Sequence, residues 1–105
     1  MNKGSFMSLD TDTKKRYRTI GHGLKPVVTV AGKGLSEGVI AELQRALDDH
    51  ELIKVKLAME DREERKQVVT DLCEQTGAEI VQTIGKVVLV FRAARKPKLS
   101  TSNIR

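Results

Sequence analysis

One stretch constrains the fold more than any other. A β-branched run, Val27-Val28-Thr29-Val30, feeds a glycine-rich turn, Ala31-Gly32-Lys33-Gly34, and Ser36 then stands where a helix would be capped. From there Val39, Ile40, Leu43, Ala46 and Leu47 recur at helical spacing to about His50. The β-branched run predicts a buried strand, and the strand-turn-helix device is then repeated. Leu52 to Met59 alternates, with Ile53, Val55, Leu57 and Met59 on one face and Lys54, Lys56 and Ala58 on the other, which predicts a strand with one covered side. Asp61 opens the next helix, Glu64 completes a capping box, Val68, Val69, Leu72 and Cys73 form its buried stripe, and Gly77 stops it. Ile80 to Ile84 and Val87 to Arg92 are strands joined by a tight turn at Gly85-Lys86.

Upstream, Asp10 is placed to cap a helix running through His22, with Leu9, Tyr17, Ile20 and Leu24 as its apolar contacts. Gly21 and Gly23 are expected to end it, and Pro26 forbids its continuation. The order is α-β-α-β-α-β-β, an α/β sandwich. Strand-helix-strand units give parallel pairing, the hairpin adds an antiparallel pair, and the helices pack on a mixed four-stranded sheet.

The chain has 105 residues, enough for one domain with one core. With no Trp, one Tyr and two Phe, that core must be aliphatic. The domain is expected over residues 9–92, with residues 1–8 a disordered extension in which Met7 is available as a start, and residues 93–105 a basic, mobile tail. Apolar runs are far too short to cross a bilayer, and no charged-then-apolar leader is seen, so a cytoplasmic protein is expected. Cys73 is the single cysteine and cannot form an internal disulfide; its apolar stripe makes it a core residue. The acids Glu60, Asp61, Glu63 and Glu64 suit a helix N-terminus, and no second ligand cluster accompanies them, so neither a metal nor a cofactor is called for. No Ser-His-Asp or Cys-His arrangement is recognisable, and a non-enzyme is expected.

Charge is strongly segregated. Residues 1–35 carry seven basic and two acidic side chains, residues 36–80 six basic and twelve acidic, and residues 81–105 six basic and none acidic. Basic ends around an acidic middle can fold into a molecule with one positive face, which favours nucleic acid over an acidic small molecule.

The glycine-rich turn fits that partner. Glycines let backbone approach a ligand, and the free amides of a helix start attract an anion, with Lys33 adding charge at the tip. The pattern Gly32-x-Gly34-x-x-x-Gly38 resembles a loosened dinucleotide fingerprint, but the chain is too short for a doubly wound sheet. It also lacks the Gly-Lys-Ser or Gly-Lys-Thr of a Walker loop. A loop clamping an RNA backbone remains, beside the plainer alternative of a structural strand-to-helix turn.

Further residues carry a family likeness. Leu24-Lys25-Pro26-Val27-Val28, Gly34-Leu35-Ser36-Glu37-Gly38-Val39, His50-Glu51-Leu52-Ile53-Lys54-Val55-Lys56, Glu60-Asp61-Arg62-Glu63, Thr76-Gly77-Ala78 and Ile84-Gly85-Lys86 followed by Arg92 resemble the CRM domain (chloroplast RNA splicing and ribosome maturation). The likeness is strongest to its small stand-alone bacterial branch, the YhbY type, and spans about Leu9 to Ser100. It implies a fold like the C-terminal domain of translation initiation factor three, RNA binding, and association with precursors of the large ribosomal subunit. The family's RNA-contacting Gly-x-x-Gly loop maps onto Ala31-Gly32-Lys33-Gly34. Alanine thus replaces the first glycine, and because alanine tolerates positive φ poorly, Gly32 is expected to take over part of its role.

The candidate RNA-binding residues are Gly32, Lys33 and Gly34, then Lys14, Lys15, Arg16, Arg18, His22 and Lys25 near them, with Lys86, Arg92, Arg95, Lys96 and Lys98 lengthening the basic surface. His22 is more ordinarily a cap or packing residue, His50 is read as structural, and Lys54 and Lys56 lie on a strand face whose cover the pattern leaves open. Tyr17, Phe6 and Phe91 cannot build a stacking platform, so a monomer binding structured RNA by backbone and shape is expected. Two other readings compete: a protein adaptor using the acidic middle, with RNA incidental, and a mononucleotide binder using Gly32 to Gly38.

Overall fold

The computed structural model describes residues 9–32 and 34–105; the expected extension over residues 1–8 and the loop lysine Lys33 lie outside the described residues. Its elements are α1 (Thr11–Gly21), β1 (Pro26–Val30), α2 (Glu37–His50), β2 (Leu52–Leu57), α3 (Arg62–Thr76), β3 (Glu79–Ile84) and β4 (Val87–Phe91). Local chemistry sets the boundaries. Asp10 Oδ1 accepts from Thr13 N, Ser36 Oγ from Val39 N and Asp61 Oδ1 from Glu63 N, each taking one amide that the first helical turn leaves unpaired. Gly77 closes α3 at φ 79°, and Gly85 turns the β3–β4 hairpin at φ 56°.

The sheet order is β1-β2-β4-β3, with β1 and β2 parallel and the other two pairings antiparallel. The alternation in β2 divides the core in two. Ile53, Val55 and Leu57 join Val28, Val30, Val88 and Val90 beneath α2 and α3, where Leu43, Leu47, Val69 and Leu72 seal them. On the opposite face Tyr17 of α1 packs with Leu52, Val81 and Leu89. The molecule is therefore three layers deep, two helices on one face and one on the other. The strand at Pro26–Val30, expected to be buried, is an edge strand: Val28 and Val30 face the core, while Val27 is 51% exposed.

Helix α1 ends at Gly21, where the glycines are expected to stop it, but without a left-handed turn: its cap His22 has an ordinary helical φ of −59°, and Gly23 has no positive φ. A Cβ on Gly21 would sit 2.6 Å from Leu89 Cδ2, so this glycine lets α1 lie close on the sheet.

Residues 93–105 are not a free tail. Asn103 N donates to His50 O, Asn103 Nδ2 to Leu52 O, and Thr101 Oγ1 to Asp49 O, while Ile104 packs under α1's cluster. At the centre is Glu51, which caps α2 at φ 65° and is fully buried. Its carboxylate accepts from Ala94 N at 2.8 Å, Ser102 Oγ at 2.9 Å and the Arg105 guanidinium at 2.7 and 3.0 Å. Arg105 and these donors outweigh burial and hold the Glu51 carboxyl down at about 2.

A carboxyl whose pKa is lowered on folding stabilises the fold above its unfolded value, and the contribution is lost as pH falls from there through the lower, folded value. Urea unfolding should therefore show stability declining from about pH 4.5 towards 2. Glu51→Gln should cost about 2 kcal/mol at neutral pH and flatten that decline. Equal stability of variant and parent at pH 7 would contradict this role.

Candidate nucleic-acid interface

The glycine turn lies at the end of edge strand β1. Gly34 N donates to Ala31 O at 2.9 Å, and Gly34 has φ 84°. Among the described residues neither Ala31 nor Gly32 has a positive φ, so alanine in place of the first loop glycine is unstrained and Gly32 need not substitute for it. No atom lies within 4 Å of a Cβ built on Gly32 or Gly34, so the backbone there is open to an incoming group. Ser36 and the start of α2 follow directly.

Around the start of β1 are exposed His22 and Lys25, preceded on α1 by exposed Lys15 and Arg16 and by half-buried Lys14 and Arg18. The Arg16 guanidinium lies 5.4 Å from the Tyr17 ring centroid, a cation–π contact. The open question of Lys54 and Lys56 is answered by the sheet. Thr29, Lys56, Val87 and Ile84 form one cross-strand row, and Pro26, Lys54, Leu89 and Gln82 the next. Helix α1 covers Leu52 and Leu89 but leaves the end of this face nearest the glycine turn uncovered, where a shallow groove of about 190 Å³ runs between Lys54 and Ile84. Lys56 is exposed, Lys54 half-exposed, and neither enters an ion pair among the described residues.

The remaining candidates are placed elsewhere. Lys86 pairs with Glu60 at 2.6 Å on the exposed rim. Arg92 is a clasp: it donates to Gln44 Oε1, to Gln44 O at 3.2 Å, to Thr76 O at 2.7 Å and to Asp48 Oδ1 at 2.7 Å, locking β4 to the ends of α2 and α3. Lys98 bonds Asp49, and the contact lowers the pKa of Asp49 and raises that of Lys98. Arg95 and Lys96 are exposed beside them. Arg92, Arg95, Lys96 and Lys98 sit at the far end of α2 from the glycine turn, and 14 residues of helix span about 21 Å; Lys86 is at the near end, its O accepting from Leu57 N at 2.7 Å. The candidates thus form two groups, and the acidic middle is partly neutralised by the basic C-terminal segment.

Comparison with known proteins now has a geometry to meet. A family model described as the CRS1 / YhbY (CRM) domain matches residues 9–92. The chain belongs to this family. A Pseudomonas aeruginosa relative named a probable RNA-binding protein is 53% identical over 98 residues, covering 93% of this chain and 94% of the relative. A Haemophilus influenzae protein named an RNA-binding protein is 41% identical over 92 residues, covering 88% and 93%. The solution structure of a hypothetical Staphylococcus aureus protein, described as a candidate RNA-binding protein, matches with a TM-score of 0.75 at 27% identity, covering 88% of this chain and 96% of that one.

Within this CRM protein, Lys54 and Lys56 are the residues sequence reading left unassigned. The alternation put them opposite the core stripe, but only the placement of α1 shows that face to be partly open. Cys73 is half-buried at the margin of the larger core, and burial, then Glu79, raises its thiol pKa, so it is unsuited to nucleophilic chemistry. Among the described residues no helix is long and apolar enough to cross a membrane.

The division between clasp and open cations can be measured. Arg92→Ala should cost about 2 kcal/mol in urea unfolding, because two backbone carbonyls lose their donor. Lys54→Ala should change stability by less than about 0.5 kcal/mol. Equal effects would erase the division.

Proposed function

We propose that this CRM protein binds structured RNA through backbone and shape, and thereby associates with large-subunit ribosomal precursors and assists their maturation. It acts as a non-enzymatic, cytoplasmic monomer. One observation carries the RNA reading: the open glycine turn stands at the end of the strand whose neighbour presents Lys54 and Lys56, outside every ion pair among the described residues. Gly32 lies three residues past Thr29, the cross-strand partner of Lys56, about 10 Å along the chain. The amide of Gly32, with Lys33, would hold one phosphate, while the Gly34 amide stays bonded to Ala31 O and the bare Gly34 backbone leaves room for the approach. Lys54, Lys56, Lys25 and His22 would hold its neighbours, and Lys14, Lys15, Arg16 and Arg18 would extend the track. Lys86, Arg95 and Lys96 would serve at its margins.

Backbone rather than base recognition follows from the aromatic residues. Tyr17 is 6% exposed, and its ring lies 5.0 Å from that of half-buried Phe91. Among the described residues a base has no exposed Phe or Tyr ring on which to stack. The family membership and the relatives' names support RNA as the partner, and the family resemblance supports ribosome maturation. The adaptor reading is weakened, because four of the twelve acids of residues 36–80, Asp48, Asp49, Glu51 and Glu60, are engaged in internal ion pairs.

Each phosphate contact contributes about 0.9 to the slope of log affinity against log salt. Lys54→Glu with Lys56→Glu should weaken binding to a ribosomal RNA hairpin at least roughly tenfold and reduce the slope by about 2. The same variant should leave large-subunit precursors on a low-salt sucrose gradient where the parent co-migrates. Unchanged hairpin binding would refute the interface. Intact hairpin binding by a parent that stays at the top of the gradient would refute the ribosomal assignment alone.

A further inference from the structure

A second concavity lies across the sheet, between α3 and the outer strand β3, with a volume of about 620 Å³. That is within the ~300–1,000 Å³ range of sites that take small ligands. Its floor is apolar: Ile80 is 40% exposed there, with Leu57 and Val69 buried behind it. Its rim is cationic. Arg62 and Lys66 are exposed on α3 and enter no ion pair among the described residues. Arg65 is held in place: its Nη1 donates to Met59 O at 3.1 Å and to Glu60 O at 2.7 Å, which fixes the guanidinium at the mouth.

We propose that this cleft receives one unstacked nucleotide of the bound RNA, its base against Ile80 and the Arg65 guanidinium and its phosphate on Arg62 and Lys66. The inference rests on the RNA-binding reading and names the feature of the RNA that this end of the molecule takes. An immobilised guanidinium offers a planar surface to a base, the role that aromatic rings serve elsewhere and that exposed rings here cannot fill. The position is suitable. Leu57 ends β2 beside Val30, where the glycine turn begins, and Gly85 of the hairpin also lines the cleft. Four strands set its outer edge about 14 Å from β1, a few nucleotides of chain. An acidic peptide added as a fifth strand would meet the same cations, but the register of β3 shifts between Ile80 and Gln82, and such a bulge blunts an edge against pairing.

The test uses the full chain and two probes, an RNA hairpin with one bulged adenosine and the same hairpin without it. The parent should prefer the bulged hairpin roughly tenfold, the scale of one stacked base. Arg62→Ala with Lys66→Ala, and separately Ile80→Ser, should bring the ratio close to one while binding to the paired hairpin persists. Equal affinity of the parent for both hairpins, or a preference that survives both variants, would overturn the cleft assignment and leave RNA binding intact. Failure to bind either hairpin would remove the RNA reading and this inference together. Amide shifts along β3 on adding an Asp/Glu-rich decapeptide, with none on adding RNA, would overturn it in favour of a protein partner.

Discussion

A single buried carboxylate organises one end of the molecule. Glu51 sits where α2 ends and β2 begins, with its backbone in the left-handed half of φ space. Its carbonyl oxygen accepts from Arg92 N at 2.9 Å, and its side chain gathers Ala94, Ser102 and Arg105. A buried carboxylate without these donors would be strongly unfavourable, so the helix end, the start of the strand and the C-terminal segment hold one another in place. With that segment docked, Lys98 and Arg92 meet Asp49 and Asp48, and much of the negative charge of the middle segment is matched internally. The described cations left outside these pairs include Lys15 and Arg16 on α1, Lys54 and Lys56 on β2, and Arg62 and Lys66 on α3.

What was legible in the sequence was what local chemistry decides. Asp10, Ser36 and Asp61 mark helix starts because their side-chain oxygens satisfy amides two or three residues away. Gly77 and Gly85 mark turns because their φ is positive. The alternation through β2 revealed its core face. Glu51 was hidden for the opposite reason: among the twelve acids of residues 36–80 it resembles any other, and the donors that meet its carboxylate lie 43 to 54 residues away. The same distance hid the order in residues 93–105, whose composition is that of a solvated tail. Arg92 reads as a free cation until the ends of α2 and α3 are brought to it.

The site was legible as a motif and not as a surface. The glycine turn announces itself by composition, and among its described residues the positive φ falls on Gly34 and not on Ala31, so alanine is acceptable there. Which cations accompany it depends on how far α1 crosses the sheet, and that is set by the fit of Gly21 against Leu89 and by Tyr17 under Phe91. Helix position, not charge count, separates Lys54 and Lys56 from lysines and arginines spent on holding the fold.

The strand order has a consequence for how the chain acquires its structure. β4 is the last strand in the sequence, yet it lies between β2 and β3. During N-to-C synthesis the first three strands are made before the strand that joins them exists, and β2 carries an unsatisfied backbone edge until Val87–Phe91 emerges. The closing contacts of Glu51 arrive later still, with residues 94 to 105. The sheet therefore closes only once Val87–Phe91 has been made, and until then the open edge of β2 is available for pairing with other strands.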